Sequence, residues 1–219
     1  MAATPPDSFS DQLRERSEPD WTAVVRHPFT DALFDGSIPD ERMRSYLVQD
    51  YQFVDDFLAL LGAAVAGADR YASRLALAGS IAVVTSEENT YFQRSFDALG
   101  VAEADRVDPV LDPATVAFRD LMRETRDGGS YAEILTVLTV AEWTYLDWAK
   151  RAPSKPGSFV HAEWIELHAN PDFEEWVGWL RAELDRVGAD LDEQERARCL
   201  RLFQRATRCE VDFFDAHWG

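Results

Sequence analysis

Residues 40–67, DERMRSYLVQDYQFVDDFLALLGAAVAG, carry apolar side chains at the three- and four-residue spacing of an α-helix. We expect Ser37 or Asp40 to cap the start of this helix. The acids that follow in its first turn are typical of a helix start. One face of this helix contains Met43, Leu47, Asp50, Val54, Phe57 and Leu61. Asp50 is the exception on that face, because a buried carboxyl group needs a partner or a proton.

The same helical periodicity extends along nearly the whole chain. The β-branched run at 135–140 continues into AEWTYLDWA at helical spacing and is also predicted to be helix. Residues 100–113 and 151–158 are rich in proline, glycine and charge, which favours loops. Besides 40–67, helices are predicted over 8–36 (broken near Pro28), 70–99, 113–126, 131–150, 158–168, 171–187 and 190–217. We expect a single all-α domain over 1–219, a bundle of about eight helices, with residues 1–7 flexible.

The chain has 219 residues and a formal net charge of −18 at pH 7, and Lys150 and Lys155 are its only lysines. Such a surface repels nucleic acid and anionic membranes, so neither is an expected partner. We interpret the acidity as a solvation feature typical of a salt-loving archaeon. No signal peptide and no run of about 18 apolar residues is present, which predicts a cytoplasmic protein without a membrane span.

Cys199 and Cys209 lie ten residues apart in one predicted helix, a separation of about 15 Å. That distance is too long for a disulfide between them. Two thiols without CxxC spacing indicate a reducing compartment and no zinc site.

The histidines do not form a recognisable metal motif. A di-iron bundle needs Glu-x-x-His pairs, and no glutamate lies three residues before any of the four histidines. His27 directly precedes Pro28, which favours a cap or hydrogen-bonding role over haem ligation. Neither GxGxxG nor GxxxxGK occurs. We therefore expect no metal and no nucleotide loop.

Further acids share Asp50's placement on apolar helix faces: Glu142, Glu210, and either Glu87 or Glu88. The sequence leaves open which of the last two points inward. Each acid alone fits a structural ion pair or a helix rotated by one position. Carboxyl groups on separate helices, each beside aromatics, together predict a small-molecule pocket. Buried in such a pocket, they would have raised pKa values and could transfer protons.

Four segments carry a resemblance to a known family: HPF at 27–29, DGSIPDERMRSYLVQDYQFV at 35–54, YAEILTVLTVAEWTY at 131–145 and CEVDFFDAHW at 209–218. Together they resemble the TenA/thiaminase II family over roughly residues 15–217. The resemblance implies a haem-oxygenase-like fold without haem, no cofactor and a homo-oligomer, with a tetramer favoured. It also implies a thiamin-salvage hydrolase that releases the pyrimidine from aminomethyl- or formylaminomethyl-pyrimidine, or from thiamin itself.

The resemblance also implies roles for individual residues. Asp50 corresponds to the aspartate that holds the aminopyrimidine edge, and Glu210 to the catalytic acid/base. Further substrate contacts are implied for Tyr145 beside the reacting centre, Phe213 as an aromatic wall, Phe53 and Phe118 where many members carry tyrosine, and His168 near another family tyrosine. We add Glu87 as a candidate contact from its helical phase.

One position departs from the family pattern. Many members carry a nucleophilic cysteine where this chain has Ala141, followed by Glu142. The chain therefore resembles a cysteine-less branch, in which Glu142 and Glu210 share acid and base work. This favours hydrolysis of the salvage intermediates over thiamin cleavage. The alternatives are a non-catalytic pyrimidine-binding or regulatory protein and an oxidase of the same fold.

Overall fold

The computed structural model describes residues 8–154 and 156–218, which form twelve α-helices and one π-helical turn. No β-strand occurs within those two ranges. The helices are α1 (Phe9–Glu15), α2 (Asp20–Val25), α3 (Pro28–Asp35), α4 (Asp40–Gly67), α5 (Tyr71–Val83), α6 (Asn89–Leu99), α7 (Glu103–Val107), α8 (Pro113–Gly128), α9 (Tyr131–Ala149), α10 (Phe159–Ala169), α11 (Pro171–Gly188) and α12 (Glu193–Trp218), with the π-turn Val84–Glu88 between α5 and α6. The all-α prediction is confirmed, while the expected flexibility of residues 1–7 falls outside the described residues.

The predicted count of about eight helices is too low, because the helical region at 8–36, expected to break near Pro28, is three helices, and the helix expected at 70–99 is α5 and α6 with the π-turn between them. Proline lacks an amide hydrogen and fits only at a helix start, so Pro19 and Pro28 each precede or begin a new helix. His27 caps α3, its Nδ1 accepting a 3.1 Å hydrogen bond from the amide of Phe29. This confirms the capping role predicted for His27. The short helix α7 also lies in a segment that we expected to be a loop.

The long helix α4 places its predicted apolar face in the core. Met43, Leu47 and Leu61 are fully buried, and Asp50 on the same face is 6% exposed. The helix packs against α5, α6, α8 and α9. The inward orientation predicted for Asp50 is therefore confirmed.

Helix α9 is the central helix, since every side chain from Ala132 to Leu146 is buried. It begins with a capping box, in which the Ser130 amide donates to Glu133 Oε2 at 2.7 Å and the Glu133 amide donates to Ser130 Oγ at 3.4 Å. Two of its threonine hydroxyls donate within the helix, that of Thr136 to the Ala132 carbonyl at 2.8 Å and that of Thr144 to the Val140 carbonyl at 2.9 Å, whereas Thr139 Oγ1 has no hydrogen-bond partner among the described residues. The β-branched run thus forms a buried helix, as predicted.

Two hydrophobic clusters flank this centre. The larger joins α4, α8, α9, α11 and α12, and the second joins α3, α4, α6, α10 and α12. A buried ion pair also links α4 to α8, with Arg119 Nε donating to Asp56 Oδ2 at 2.5 Å. Both cysteines are buried and free. Among the described helices, none combines the length and apolar character that a membrane span requires.

Candidate active site

A cavity of about 490 Å³ lies between α4, the π-turn, α9, α10 and α11. Aromatic side chains form much of its wall, and carboxyl groups supply most of its ionisable groups. The aromatic residues lining it are Phe53, Phe57, Tyr145, Trp164, Phe173 and Trp176. Such a mixture suits a small organic ligand with a flat ring and several hydrogen-bond donors.

Asp50 reaches the cavity from α4. Its removal from water raises the pKa of its carboxyl group to about 8. Asp50 is therefore mostly protonated at neutral pH. A protonated carboxyl group offers one O–H donor and one carbonyl acceptor side by side.

Glu142 lies on α9 beside Ala141 and is anchored from α11. The indole Nε1 of Trp176 donates a 2.9 Å hydrogen bond to Glu142 Oε1. Burial raises the pKa of Glu142 to about 7, and the indole hydrogen bond acts in the opposite direction. Near neutral pH this group is poised between its charged and neutral forms, which suits proton transfer.

Glu210 comes from α12 and is 2% exposed. Its Oε1 has no hydrogen-bond partner among the described residues. Burial, followed by the charges of Asp50 and Glu142, raises the pKa of Glu210 well above its ordinary value. Glu210 does not line the cavity wall, but its pKa responds to the charges of Asp50 and Glu142, so the three acids lie near one another on three helices.

Tyrosine hydroxyls lie beside these acids. The Tyr145 and Tyr46 hydroxyls are 2.8 Å apart, and Trp164 Nε1 donates to the Tyr46 oxygen at 3.2 Å. Burial raises the pKa of both tyrosines well above the ordinary value, so both remain protonated. Tyr145 therefore keeps a hydrogen-bond donor at the cavity wall.

His168 contacts the cavity from α10 and is a neutral imidazole. Burial lowers its pKa to about 4. Nδ1 lies 2.8 Å from the Trp164 carbonyl, which only accepts, so we assign the ring hydrogen to Nδ1. Nε2 then carries the lone pair of the ring and can only accept a hydrogen bond.

The π-turn places both Glu87 and Glu88 at the cavity. Glu87 is exposed, whereas Glu88 is partly buried. Burial, then the charges of Asp50 and Glu142, raises the pKa of Glu88. Of the two candidates that the sequence left open, Glu88 is the one that faces the other acids.

The aromatic candidates are placed differently from one another. Phe53 lines the cavity, and Phe118 packs edge-on behind it with ring centroids 4.9 Å apart. Phe213 packs against Tyr46 and His217, with centroid distances of 5.5 and 4.9 Å. Neither Phe118 nor Phe213 is part of the cavity wall.

Sequence reasoning missed Trp164, Phe173 and Trp176, which form the α10–α11 side of the cavity. Their helical spacing is that of ordinary core aromatics, and no polar anomaly distinguishes them. Tyr46 was missed for the same reason, because only its hydrogen bonds to Tyr145 and Trp164 distinguish it from an ordinary core aromatic residue.

Within residues 8–154 and 156–218, no group of three or more His, Cys, Asp or Glu side chains is arranged to hold a metal ion. The donors that converge on the cavity are carboxyl, phenol and imidazole groups. They fit an organic ligand that presents N–H groups and a partial or full positive charge.

The fold and cavity define an all-α protein with an acidic, aromatic small-molecule site. The model of the TENA/THI-4/PQQC family matches residues 14–219, and the chain belongs to that family.

Curated relatives match almost end to end. The chain is 24% identical to an aminopyrimidine aminohydrolase of Halalkalibacterium halodurans over 95% of this chain and 94% of that protein. It is 26% identical to an aminopyrimidine aminohydrolase of Bacillus subtilis over 96% of this chain and 88% of that protein.

Solved structures show the same fold. A TenA homologue from Pyrococcus furiosus matches with a TM-score of 0.86 at 22% identity, over 96% of this chain and 100% of that chain. A protein from a Silicibacter species, described as a TenA family transcription regulator, also has a TM-score of 0.86 at 23% identity, over 97% of both chains.

Proposed function

We propose that the protein is a thiamin-salvage hydrolase that converts aminomethyl- or formylaminomethyl-pyrimidine to hydroxymethylpyrimidine. The observation that carries this proposal is the convergence of Asp50, Glu142 and Glu210 from three helices beside an aromatic cavity. Two curated relatives of nearly full length are named aminopyrimidine aminohydrolases, which supports the same reaction.

In this proposal Asp50 binds the aminopyrimidine edge. Its O–H donates to a ring nitrogen while its carbonyl oxygen accepts from the exocyclic amine. Because the pKa of Asp50 is raised to about 8, its carboxyl group carries the proton for this pairing at neutral pH. Transfer of that proton to the ring draws electrons away from the carbon that bears the leaving nitrogen.

Two glutamates complete the reaction. Glu210, whose pKa burial raises well above its ordinary value, keeps the leaving nitrogen protonated as its bond to carbon breaks, donating a proton where that nitrogen is neutral, and Glu142 removes one from the attacking water. For the aminomethyl substrate the carbon–nitrogen bond breaks, a carbon–oxygen bond forms, and ammonia is released. Tyr145, held by Tyr46, donates a hydrogen bond near the reacting centre. We propose that the chain belongs to a cysteine-less branch, a proposal supported by alanine at position 141.

The test is an assay of the purified protein in high salt with aminomethylpyrimidine, its formyl derivative and thiamin. We expect hydroxymethylpyrimidine and, from the aminomethyl compound, stoichiometric ammonia. Tight binding of the pyrimidine without any product would instead support a binding or regulatory protein.

We also propose that the protein acts in the cytoplasm as a homo-oligomer, with a tetramer favoured. Tyr71, Leu75 and Val83 on α5 expose large apolar side chains that would suit contact between subunits. Light scattering coupled to size exclusion would measure the assembly, and a monomeric mass would refute this part of the proposal.

A further inference from the structure

The cavity is unusually one-sided in charge. Seven of the side chains that line it carry a carboxyl group, and none of the described lining residues is lysine or arginine. Glu163 is neutralised by Arg94, whose Nη1 and Nη2 donate to Glu163 Oε2 and Oε1 at 2.8 and 3.0 Å. His168, with its pKa lowered to about 4, adds no positive charge at neutral pH. The interior therefore favours a ligand that brings positive charge with it.

Glu88 reaches this interior because the helix between α5 and α6 contains a π-turn. Such turns add a residue to the helical repeat and often occur at functional sites. Neighbouring hydroxyls bond to backbone carbonyls here: Ser86 Oγ donates to the Ala82 carbonyl at 2.7 Å, and Thr90 Oγ1 to the Ser86 carbonyl at 2.6 Å. Side-chain hydroxyls thus form hydrogen bonds with backbone carbonyls in and beside the irregular turn.

A second contact fixes this turn relative to α4. The hydroxyl of Tyr51 donates a 3.1 Å hydrogen bond to Asn89 Oδ1. Tyr51 follows Asp50 directly, and Asn89 follows Glu88 directly. The bond therefore ties the backbone beside one cavity acid to the backbone beside the other.

Among the described residues, Glu88 has acids nearby and no hydrogen-bond or ion-pair partner. Its pKa is raised first by burial and then by the carboxyl groups of Asp50 and Glu142, beside which a further negative charge is unfavourable. Glu87, one residue earlier, is exposed to solvent. A partly buried carboxyl group facing two others is stabilised most by a cation that donates hydrogen bonds.

We propose that Glu88 is a specificity-determining residue that accepts hydrogen bonds from the protonated primary amine of aminomethylpyrimidine, so that the protein prefers this substrate to the neutral formylamino derivative. The inference rests on the proposed function for the identity of the pyrimidine. The aminomethyl group is an ammonium ion near neutral pH and has three donors. Formylation removes the charge, leaves one N–H donor and adds a carbonyl oxygen that faces carboxyl groups unfavourably.

The first test compares kcat/KM for both substrates in the wild type, Glu88→Gln and the matched control Glu103→Gln. Glu88→Gln is expected to lower kcat/KM for aminomethylpyrimidine by about tenfold or more while changing that for the formyl derivative by less than about threefold. Glu103→Gln makes the same change in charge at an exposed position on α7, outside the cavity wall, and should change both by less than about threefold. An equal loss on the two substrates, no loss, or a selective loss in the control would overturn the proposal.

A binding measurement separates this inference from the proposed reaction. In a Glu210→Gln background, calorimetry should show aminomethylpyrimidine binding about tenfold more tightly than the formyl derivative, and adding Glu88→Gln should abolish the difference. If the wild type hydrolyses neither compound but this preference holds, the proposed reaction fails and the recognition role stands. Equal affinities for the two compounds would overturn the recognition role whether or not turnover occurs.

Discussion

The indole of Trp176 donates a 2.9 Å hydrogen bond to the carboxyl group of Glu142, and so joins α11 to the central helix at the cavity. The bond favours the charged form of Glu142 and opposes the effect of burial on its pKa. Trp176 is thus a positioning residue whose loss should be visible in a pH profile.

Trp176→Phe removes this donor while keeping an aromatic ring. The pKa of Glu142 should rise further above about 7, because one of the groups that stabilise its charge is gone. If Glu142 is the base, the acidic limb of the kcat/KM profile should move to higher pH by about one unit. Trp179→Phe, which changes the ring stacked on Trp176 at 5.4 Å, is the control and should leave that limb unchanged. An unshifted limb in Trp176→Phe would contradict the role given to Glu142.

Asp50→Asn should alter how stability depends on pH. The folded-state pKa of about 8 lies above the ordinary 3.8, so the native state holds the proton more tightly than the unfolded state. Asp50 therefore contributes most stability below about pH 4, and this contribution is lost as pH rises to about 8. Wild type should lose more unfolding free energy than Asp50→Asn across that range.

Urea unfolding at about pH 5 and about pH 8.5 measures this difference. Asp105→Asn, at an exposed position on α7, serves as the control and should follow the wild type. Parallel pH curves for wild type and Asp50→Asn would show that Asp50 is not protonated in the native state.

Tyr46→Phe should reduce both stability and activity. It leaves the Tyr145 hydroxyl and Trp164 Nε1 without their shared partner, at a cost of about 1–3 kcal/mol. Tyr145 then loses its fixed orientation, and kcat should fall more than KM changes.

Tyr91→Phe is the matched control for this change. The buried Tyr91 hydroxyl donates to the Val160 carbonyl at 2.6 Å, outside the cavity wall. This variant should lose stability, as followed by urea unfolding, but keep its kcat. If the two variants have the same kcat, the Tyr46–Tyr145 bond does not orient the reacting centre.

Arg119→Met tests the ion pair between α4 and α8. The change leaves the buried Asp56 with the more exposed Arg123 as its main partner, at 2.9 Å. Losing one partner of a buried pair costs about 3–5 kcal/mol, and the remaining contact should reduce that loss. Arg205→Met, which breaks an exposed pair with Glu124, should cost less than about 1 kcal/mol by the same urea measurement. Equal losses in the two variants would show that burial does not strengthen the α4–α8 link.

Hydrophobic periodicity was enough to predict the long helices and the inward direction of Asp50. The period of α4 places Asp50 in register with Leu47 and Val54, and a register error of one residue would have exposed the whole stripe. The same argument assigned the run at 135–140 to a helix, because the apolar spacing continued past the β-branched residues. The apolar spacing within one segment thus predicted the features that depend on the geometry of that segment alone.

The missed features depend on contacts distant in sequence or on small irregularities. A π-turn shifts the helical phase within a few residues, so periodicity could not separate Glu87 from Glu88. The bond from Trp176 to Glu142 joins two residues that lie 34 positions apart along the chain. The short α7 lies in a segment whose proline and charge content is that of a loop. None of these three features can be predicted from the apolar spacing of a single helix.

The most direct test of the account is Glu210→Gln. Wild type and variant are compared for ammonia release from aminomethylpyrimidine and for equilibrium binding of the same compound. We expect kcat to fall by about 10²-fold or more, with binding kept within about threefold, because a single positioned acid/base supplies rate enhancement of about 10²–10⁴. A kcat close to that of the wild type would contradict the assignment of Glu210 and, with it, the carboxyl-based reaction proposed for this cavity.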